Sequence, residues 1–316
     1  MTAGVLVQVG DALARYRFPE GHPFSIDRQG AFWDEAQRRG LQRHCVVGVP
    51  RQATREELLR FHTARYVDWV RAGSARGDGY LDYGDTPVFP GILESASTIA
   101  GTAVAGLEQL MAGSARRVFQ PVGGLHHARR DAAAGFCVFN DLAIVIQTLR
   151  LRYGVRRVAY VDIDVHHGDG IYYAFEADPD LVFADIHEDG RYLYPGTGDA
   201  AEIGTGRARG TKLNIPLPPG ADDDEFVAAW ERVLGHLRGH RPEFVVFQCG
   251  VDSLRGDPLG HLKYTPFAHT YATTTLCALA DEFCHGRLMV FGGGGYSLDN
   301  CASGWSAVLD ALVSAR

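Results

Sequence analysis

Two hydrophobic rhythms share this chain. Short apolar runs stand at Val5–Val9, Arg117–Gln120, Arg157–Ile163, Leu181–Ile186, Phe244–Cys249 and Leu288–Phe291. Between them lie longer segments whose apolar positions recur at helical spacing, at Ile92–Met111, Leu142–Leu151, Asp222–Leu237, Pro266–Phe283 and Cys301–Leu312. A continuous apolar run suits a strand covered on both faces. Strands alternating with helices predict an α/β fold with a parallel sheet between helical layers. Thr54 with Glu57 forms a possible capping box opening a short helix through Phe61, and Ile171–Phe175 reads as a short helix. Gly21-His22-Pro23-Phe24 reads as a turn, Arg71–Pro90 as the longest loop, and Arg191–Pro219 as irregular. No repeat or linker divides the chain, so residues 1–316 are expected to form one domain.

The polar positions break this pattern where strands end. The run Val158-Ala159-Tyr160-Val161 leads into Asp162, Asp164, His166, His167 and Asp169. In parallel sheets ligands sit beyond the carboxyl ends of strands. If the chain stays extended, Asp162, Asp164 and His166 share one side. A helix cap followed by a polar loop is the plainer alternative, but burying so many acids and histidines without a metal is costly. Three more clusters follow strands: Gly123-Gly124-Leu125-His126-His127, Asp252 to Asp257-Pro258, and Gly292–Gly295 before Tyr296. Four at matching strand ends suggest one crevice.

Asp257 is expected to join Asp164 and His166, giving two carboxylates, one imidazole and an open position, the donor set of a catalytic zinc site. The same donors accept Fe²⁺ or Mn²⁺. For Asp257 a turn acid before Pro258 is the lesser alternative. His126 and His127 each need a partner to fix a tautomer, and Asp162 and Asp169 are the free acids. Unequal solvation of those acids would let the two imidazoles hold different protonation states. The glycine run lets backbone pass close to a site but lacks the pattern of a phosphate loop. Tyr296 is either a core tyrosine or a donor to an oxyanion.

Composition narrows the classes. The chain has 316 residues, 46% of them hydrophobic, enough for a large core. A net charge of −7 gives no general attraction to nucleic acid or to an anionic membrane. Of 31 basic residues only Lys212 and Lys263 are lysines, which reads as the codon usage of a GC-rich bacterial genome. The six cysteines form no C-x-x-C pair and suit reduced thiols in a cytoplasmic protein. The first residues lack a signal-peptide pattern and no 18-residue apolar segment occurs, so a cytoplasmic location is expected.

Taken together, these residues resemble the histone deacetylase family of the arginase–deacetylase superfamily, including bacterial histone deacetylase-like amidohydrolases and acetylpolyamine-hydrolysing branches. The matching motifs are G-G-L-H-H-A-R-R-D-A-A-A-G-F-C-V-F-N-D (Gly123–Asp141), V-D-I-D-V-H-H-G-D-G (161–170), Y-P-G-T-G-D (194–199), D-S-L-R-G-D-P-L-G (252–260) and G-G-G-G-Y (292–296), with G-H-P-F at 21–24 and D-T-P at 85–87. The resemblance implies an eight-stranded parallel sheet. It places zinc on Asp164, His166 and Asp257, and makes Tyr296 the donor to an amide carbonyl. It makes His127, paired with Asp169, the general base and then acid, and His126, paired with Asp162, its electrostatic partner. Gly135, Phe136 and Tyr194 would line a tunnel for an acyl-lysine stem, with Asp85 at the rim holding the substrate backbone. Leu259 stands where one polyamine-preferring branch carries an acid, which favours a neutral stem. A structural potassium is implied near Asp162, Asp164 and His166, and a second near Phe175, Asp178 and Leu181. Asp185 departs from the serine many members have beside the first.

The implied activity is removal of acetyl or other acyl groups from the ε-amine of lysine in a peptide or protein, with small acetylated amines as the alternative substrate. A binuclear, arginase-like ureohydrolase and a non-catalytic acyl-group reader are the other readings. Oligomeric state stays open.

Overall fold

The computed structural model describes residues 4–315, so residues 1–3 and 316 of the expected domain lie outside the described residues. Its eight strands are β1 (Val5–Val7), β2 (Cys45–Val47), β3 (Arg117–Gln120), β4 (Val158–Asp162), β5 (Leu181–Glu188), β6 (Lys212–Leu217), β7 (Phe244–Gln248) and β8 (Leu288–Phe291). They form one sheet in the order β2-β1-β3-β8-β7-β4-β5-β6, and every pairing is parallel. The helices are α1 (Asp11–Ala14), α2 (Arg28–Arg38), α3 (Arg55–Leu58), α4 (Ala64–Arg76), α5 (Ile92–Met111), α6 (Asp141–Tyr153), α7 (Asp169–Phe175), α8 (Asp223–His240), α9 (Pro266–Phe283) and α10 (Leu298–Ser314).

Alternate strand residues feed two cores, because successive side chains leave opposite faces. Val118, Val158, Tyr160, Val246 and Met289 pack under α4, α5 and α6. Phe119, Ala159, Val161, Phe247 and Val290 pack on the other face with α2, α8, α9 and α10, where Trp230 and Trp305 are fully buried. Covering on both faces explains the unbroken apolar runs. Among the described residues no helix is long and apolar enough to cross a membrane.

The expected sheet is present, and the six strands read from the chain are its six interior strands. The two that went unread, β2 and β6, are the sheet's edges. The irregular reading of Arg191–Pro219 is therefore corrected over Lys212–Leu217. The Arg71–Pro90 loop is also shorter than expected: α4 continues to Arg76 and stops at Gly77, whose φ of 77° suits a glycine cap. The capping box at Thr54 and Glu57 is formed in full.

Sheet order decides where the chemistry lies. The strands preceding the four polar clusters, β3, β8, β7 and β4, are adjacent in the middle of the sheet. Their carboxyl ends therefore open into one crevice, as expected for a parallel sheet.

Candidate active site

β4 ends at Asp162, and the chain then bends instead of staying extended. Asp162 Oδ1 accepts from Asp164 N at 3.0 Å, and Asp164 Oδ1 accepts from His166 N at 3.1 Å. These local side-chain bonds shape the segment, not the extended geometry read from the chain. The side chains diverge: Asp162 turns to the histidine pair, while Asp164 and His166 meet Asp252.

The ligand-like cluster is Asp164, His166 and Asp252, whose donor atoms lie within 4.8 Å of one another. His166 Nδ1 is 3.1 Å from Asp164 Oδ1 and 3.2 Å from Asp252 Oδ2. The expectation for Asp257 is corrected on this point. Its Oδ2 accepts from Tyr296 N at 2.7 Å and its Oδ1 from Leu259 N at 3.0 Å, so both oxygens serve main-chain amides. Asp252 follows β7 closely, and its Oδ1 accepts from Val165 N at 3.0 Å, whereas Asp257 comes after a further turn at Gly256. Motif order alone did not separate the two acids. Proximity to the strand end was the usable signal.

Burial and mutual charge shift all three groups of the cluster. Burial, with the charge of Asp164 added, pushes Asp252 up to about 7. Burial opposes charging of His166, yet its bonds to Asp164 and Asp252 raise it to about 10. Burial likewise opposes ionisation of Asp164, but His126, His166 and the Gln248 amide hold it well below the carboxylate range. Two buried carboxylates converge on one imidazole nitrogen, and two oxygens with one nitrogen fit zinc, iron or manganese. Gln248 Nε2 and Gly294 N each donate to Asp164 Oδ2 at 2.7 Å. Gly294 has to be glycine, because a Cβ there would collide with Asp252 Oδ2. The glycine run thus brings backbone against the carboxylates.

The two imidazoles sit beside this cluster. His126 Nδ1 is 2.8 Å from Asp162 Oδ2, His127 Nδ1 is 2.7 Å from Asp169 Oδ1, and their Nε2 atoms are 3.1 Å apart. Both expected pairings are formed. The two acids differ in charge environment: burial and the charges of Asp185 and Asp164 push Asp162 well up, while the hydrogen bond and charge of His127 outweigh burial and lower Asp169. Arg129 also reaches Asp169 Oδ2 at 3.3 Å. Burial, then the neighbouring His126, lowers His127 to about 4 against the pull of Asp169. A neutral His127 that donates from Nδ1 presents an acceptor at Nε2.

The loop carrying the pair is held by residues the sequence reading left unassigned. Asp141 accepts from Gly124 N at 2.9 Å and Leu125 N at 2.8 Å. Asn140 caps α6 through Ala143 N and donates to Ala128 O at 2.9 Å and His126 O at 3.3 Å. Buried Arg28 donates to Gly293 O beneath the glycine run. The available signal for the first two was Asn-Asp at a helix start, directly after the His-His loop.

Above the cluster opens a cavity of about 250 Å³. Its base is formed by His127, His166 and Tyr296, and its walls by Gly135, Phe136, Leu193, Tyr194 and Leu259, with Asp85 at its rim. Only Leu193 was not expected there. Two hollows of about 630 and 600 Å³ elsewhere on the surface do not include either histidine of the pair. Phe136 has φ 67°, a left-handed conformation. It is held by Tyr16, whose hydroxyl donates to Phe136 O at 2.7 Å. Gly135 packs so tightly that a Cβ would lie 2.5 Å from His127 Cδ2.

At the departure noted above, Asp185 pairs with His187 at 2.8 Å and accepts from Gly168 N at 2.8 Å. Burial opposes both charges, yet each partner favours the other's charged form. The added carboxylate thus has a buried imidazole partner, whose Nε2 lies 3.0 Å from Gly198 O. At the second implied potassium site, the carbonyls of Asp178 and Leu181 accept from Lys212 Nζ at 2.8 and 2.7 Å.

Known proteins resemble this chain over most of its length. The family model described as histone deacetylase domain matches residues 22–312. The acetoin utilization protein AcuC of Bacillus subtilis (strain 168) is 36% identical over 291 residues, 90% of this chain and 75% of that protein. Histone deacetylase 8 of Xenopus tropicalis is 36% identical over 285 residues, 88% of this chain and 75% of that protein. The crystal structure of the HDA15 HD domain superposes with a TM-score of 0.92 at 29% identity, covering 99% of this chain and 89% of that one. The chain belongs to the histone deacetylase family of amide-hydrolysing enzymes.

Proposed function

We propose that this chain is a zinc-dependent amidohydrolase that removes acetyl, or another acyl group, from the ε-amine of lysine, with residues 1–316 acting as one catalytic unit. The observation that carries it is the placement of two carboxylate-paired imidazoles beside the Asp164–His166–Asp252 cluster at the base of a walled cavity. Asp164, His166 and Asp252 would hold the ion, zinc first and Fe²⁺ or Mn²⁺ as substitutes. Bound there, it supplies Lewis acidity towards the amide carbonyl and lowers the pKa of water.

The chain's own groups account for the proton movements. His127 Nε2 accepts the proton of the attacking water, with Asp169 fixing its tautomer through Nδ1. The same nitrogen then returns that proton to the departing amine, so no net proton is gained or lost. His126, tied to Asp162, shapes the charge His127 feels. Tyr296 donates its hydroxyl proton in a hydrogen bond to the oxyanion that develops on the carbonyl, the kind of donor whose loss costs about 2.7–4 kcal/mol of barrier.

The cavity supports the substrate class. Phe136, Leu193, Tyr194 and Leu259 give apolar walls suited to a neutral methylene stem, and Asp85 is positioned at the rim to accept from a substrate backbone N–H. Among the described residues one group of three donors has metal-ligand spacing, which favours one ion over the binuclear ureohydrolase reading. A potassium ion near Asp162, Asp164 and His166 remains part of the proposal.

The test is a hydrolysis panel with zinc-loaded protein. Acetyl-lysine and longer acyl-lysine peptides should be cleaved with higher kcat/KM than acetylputrescine or acetylspermidine. Faster cleavage of the polyamines would overturn the lysine assignment. Zero turnover across the panel would leave an acyl-group reader.

A further inference from the structure

The turn between α7 and β5 holds an unusual buried cation. Lys212, the first residue of β6, is 2% exposed. Its ammonium donates to Asp178 O at 2.8 Å, Leu181 O at 2.7 Å and Thr211 Oγ1 at 2.9 Å. An ammonium has three N–H donors, and each has an oxygen. The remaining carbonyl of the implied potassium site, Phe175 O, accepts from Asp178 N at 3.0 Å. The oxygens implied for a second potassium are therefore already engaged by this chain.

Residue choice points the same way. Of 31 basic residues two are lysines, and one of them is at this position. Arginine carries a planar fork, whereas an ammonium is a compact point charge. Only the compact charge can sit among three converging oxygens as a metal cation does. The charge count also leaves little room for an added ion. The Asp178 carboxylate is paired with Arg150 of α6 and accepts from Asp180 N at 2.9 Å. A potassium beside Lys212 would be a third cation facing one carboxylate. Burial pulls Lys212 down to about 8, with Asp178 opposing and Arg150 assisting, so it stays an ammonium at neutral pH.

We propose that the Lys212 ammonium takes the place of the second structural potassium, giving this chain a tethered cation at the Asp178–Leu181 turn. The first implied site, at Asp162, Asp164 and His166, is separate, and the inference does not depend on the reaction assigned above. It makes this turn indifferent to the potassium concentration around the protein.

The test compares thermal unfolding of the zinc-loaded wild type and Lys212→Ala in tetramethylammonium chloride titrated with potassium chloride at constant ionic strength. Lys212→Ala removes the charge and leaves room for an ion. It should unfold at lower temperature without potassium and regain part of the loss along a saturable potassium curve that the wild type lacks. Lys212→Met removes the charge but fills the space, and should show the loss without the recovery. Superimposable potassium curves for wild type and Lys212→Ala would overturn the proposal. Should neither variant fold, crystals of the wild type soaked in rubidium chloride decide: no anomalous peak should lie between Asp178 O and Leu181 O, and a peak there overturns the proposal.

Discussion

Gly135→Ala adds one methyl group against the imidazole assigned as base. The new Cβ would sit 2.5 Å from His127 Cδ2, 2.9 Å from its Cγ and 3.1 Å from Tyr194 Cε1. Ordinary contact begins at 3.4 Å, so the ring has to retreat by about 0.9 Å, a shift of the size that costs about 10²-fold in rate when it misplaces a reacting group. The ring cannot move freely, since His127 is tied to Asp169 at 2.7 Å and His126 at 3.1 Å. Alanine at a φ of 51° also pays backbone strain of about 1–2 kcal/mol. Gly154→Ala isolates that second effect, because Gly154 has φ 66° and open space around its Cβ position. Steady-state kinetics on an acetyl-lysine peptide and urea unfolding of both variants make the assay. Gly135→Ala should lose about 100-fold in kcat and at least as much stability as Gly154→Ala, whose kcat should stay at the wild-type level. A Gly135→Ala enzyme with kcat within about twofold of wild type, destabilised only as far as Gly154→Ala, would refute the claim that the position of His127 sets the rate.

Three further outcomes are expected. Asp252→Asn should lose bound zinc and turnover, whereas Asp257→Ala should keep zinc by elemental analysis and lose about 10–100-fold in activity by releasing the Tyr296 backbone; the reverse metal contents would reinstate Asp257 as the ligand. Tyr296→Phe should reduce kcat by about 10²–10³ with an unchanged unfolding midpoint, and near-normal kcat would remove Tyr296 from the mechanism. His62 is held near 3, chiefly by burial against the opposing carbonyls of Arg130 and Arg129, and its Nε2 accepts from Asn140 N at 2.9 Å. Its folded value lies below the ordinary 6.5, so its contribution is complete above that value and fades as pH falls towards 3. At about 1.4 kcal/mol per unit, roughly 3 kcal/mol should be gone by pH 4. Urea unfolding between pH 7 and 4 should show that decline flattened in His62→Gln, and an equal decline in both proteins would reject the assignment.

Read alone, the chain disclosed a great deal where local chemistry is strong. Unbroken apolar runs such as Val158–Val161 reported strands buried on both faces. The Asp-x-Asp-x-His-His run, the tandem histidines and the Gly-run before Tyr296 announced a site, because few folds tolerate such residues in a core without a purpose. Eight of the nine residues lining the cavity were legible. The edge strands β2 and β6 were not, since an edge is not covered like the interior, and the exposed Val46 and Val47 of β2 carry no alternation.

What the chain could not say is which of several acids meets which histidine. Asp252 and Asp257 share one motif, and both are buried. Only the level of β7 beside β4 puts the first against His166 and turns the second towards the amides of Leu259 and Tyr296. Lys212 is the same lesson at longer range. As a letter it was a trace of codon usage, and it becomes a cation among carbonyls only because β6 pairs with β5 and lays its first side chain over the Asp178–Leu181 turn. Periodicity and residue type act between neighbours along the chain, so they write the elements into the sequence. Which side chains converge is set by strand order and by the depth at which each strand ends, and those exist only once the sheet has assembled.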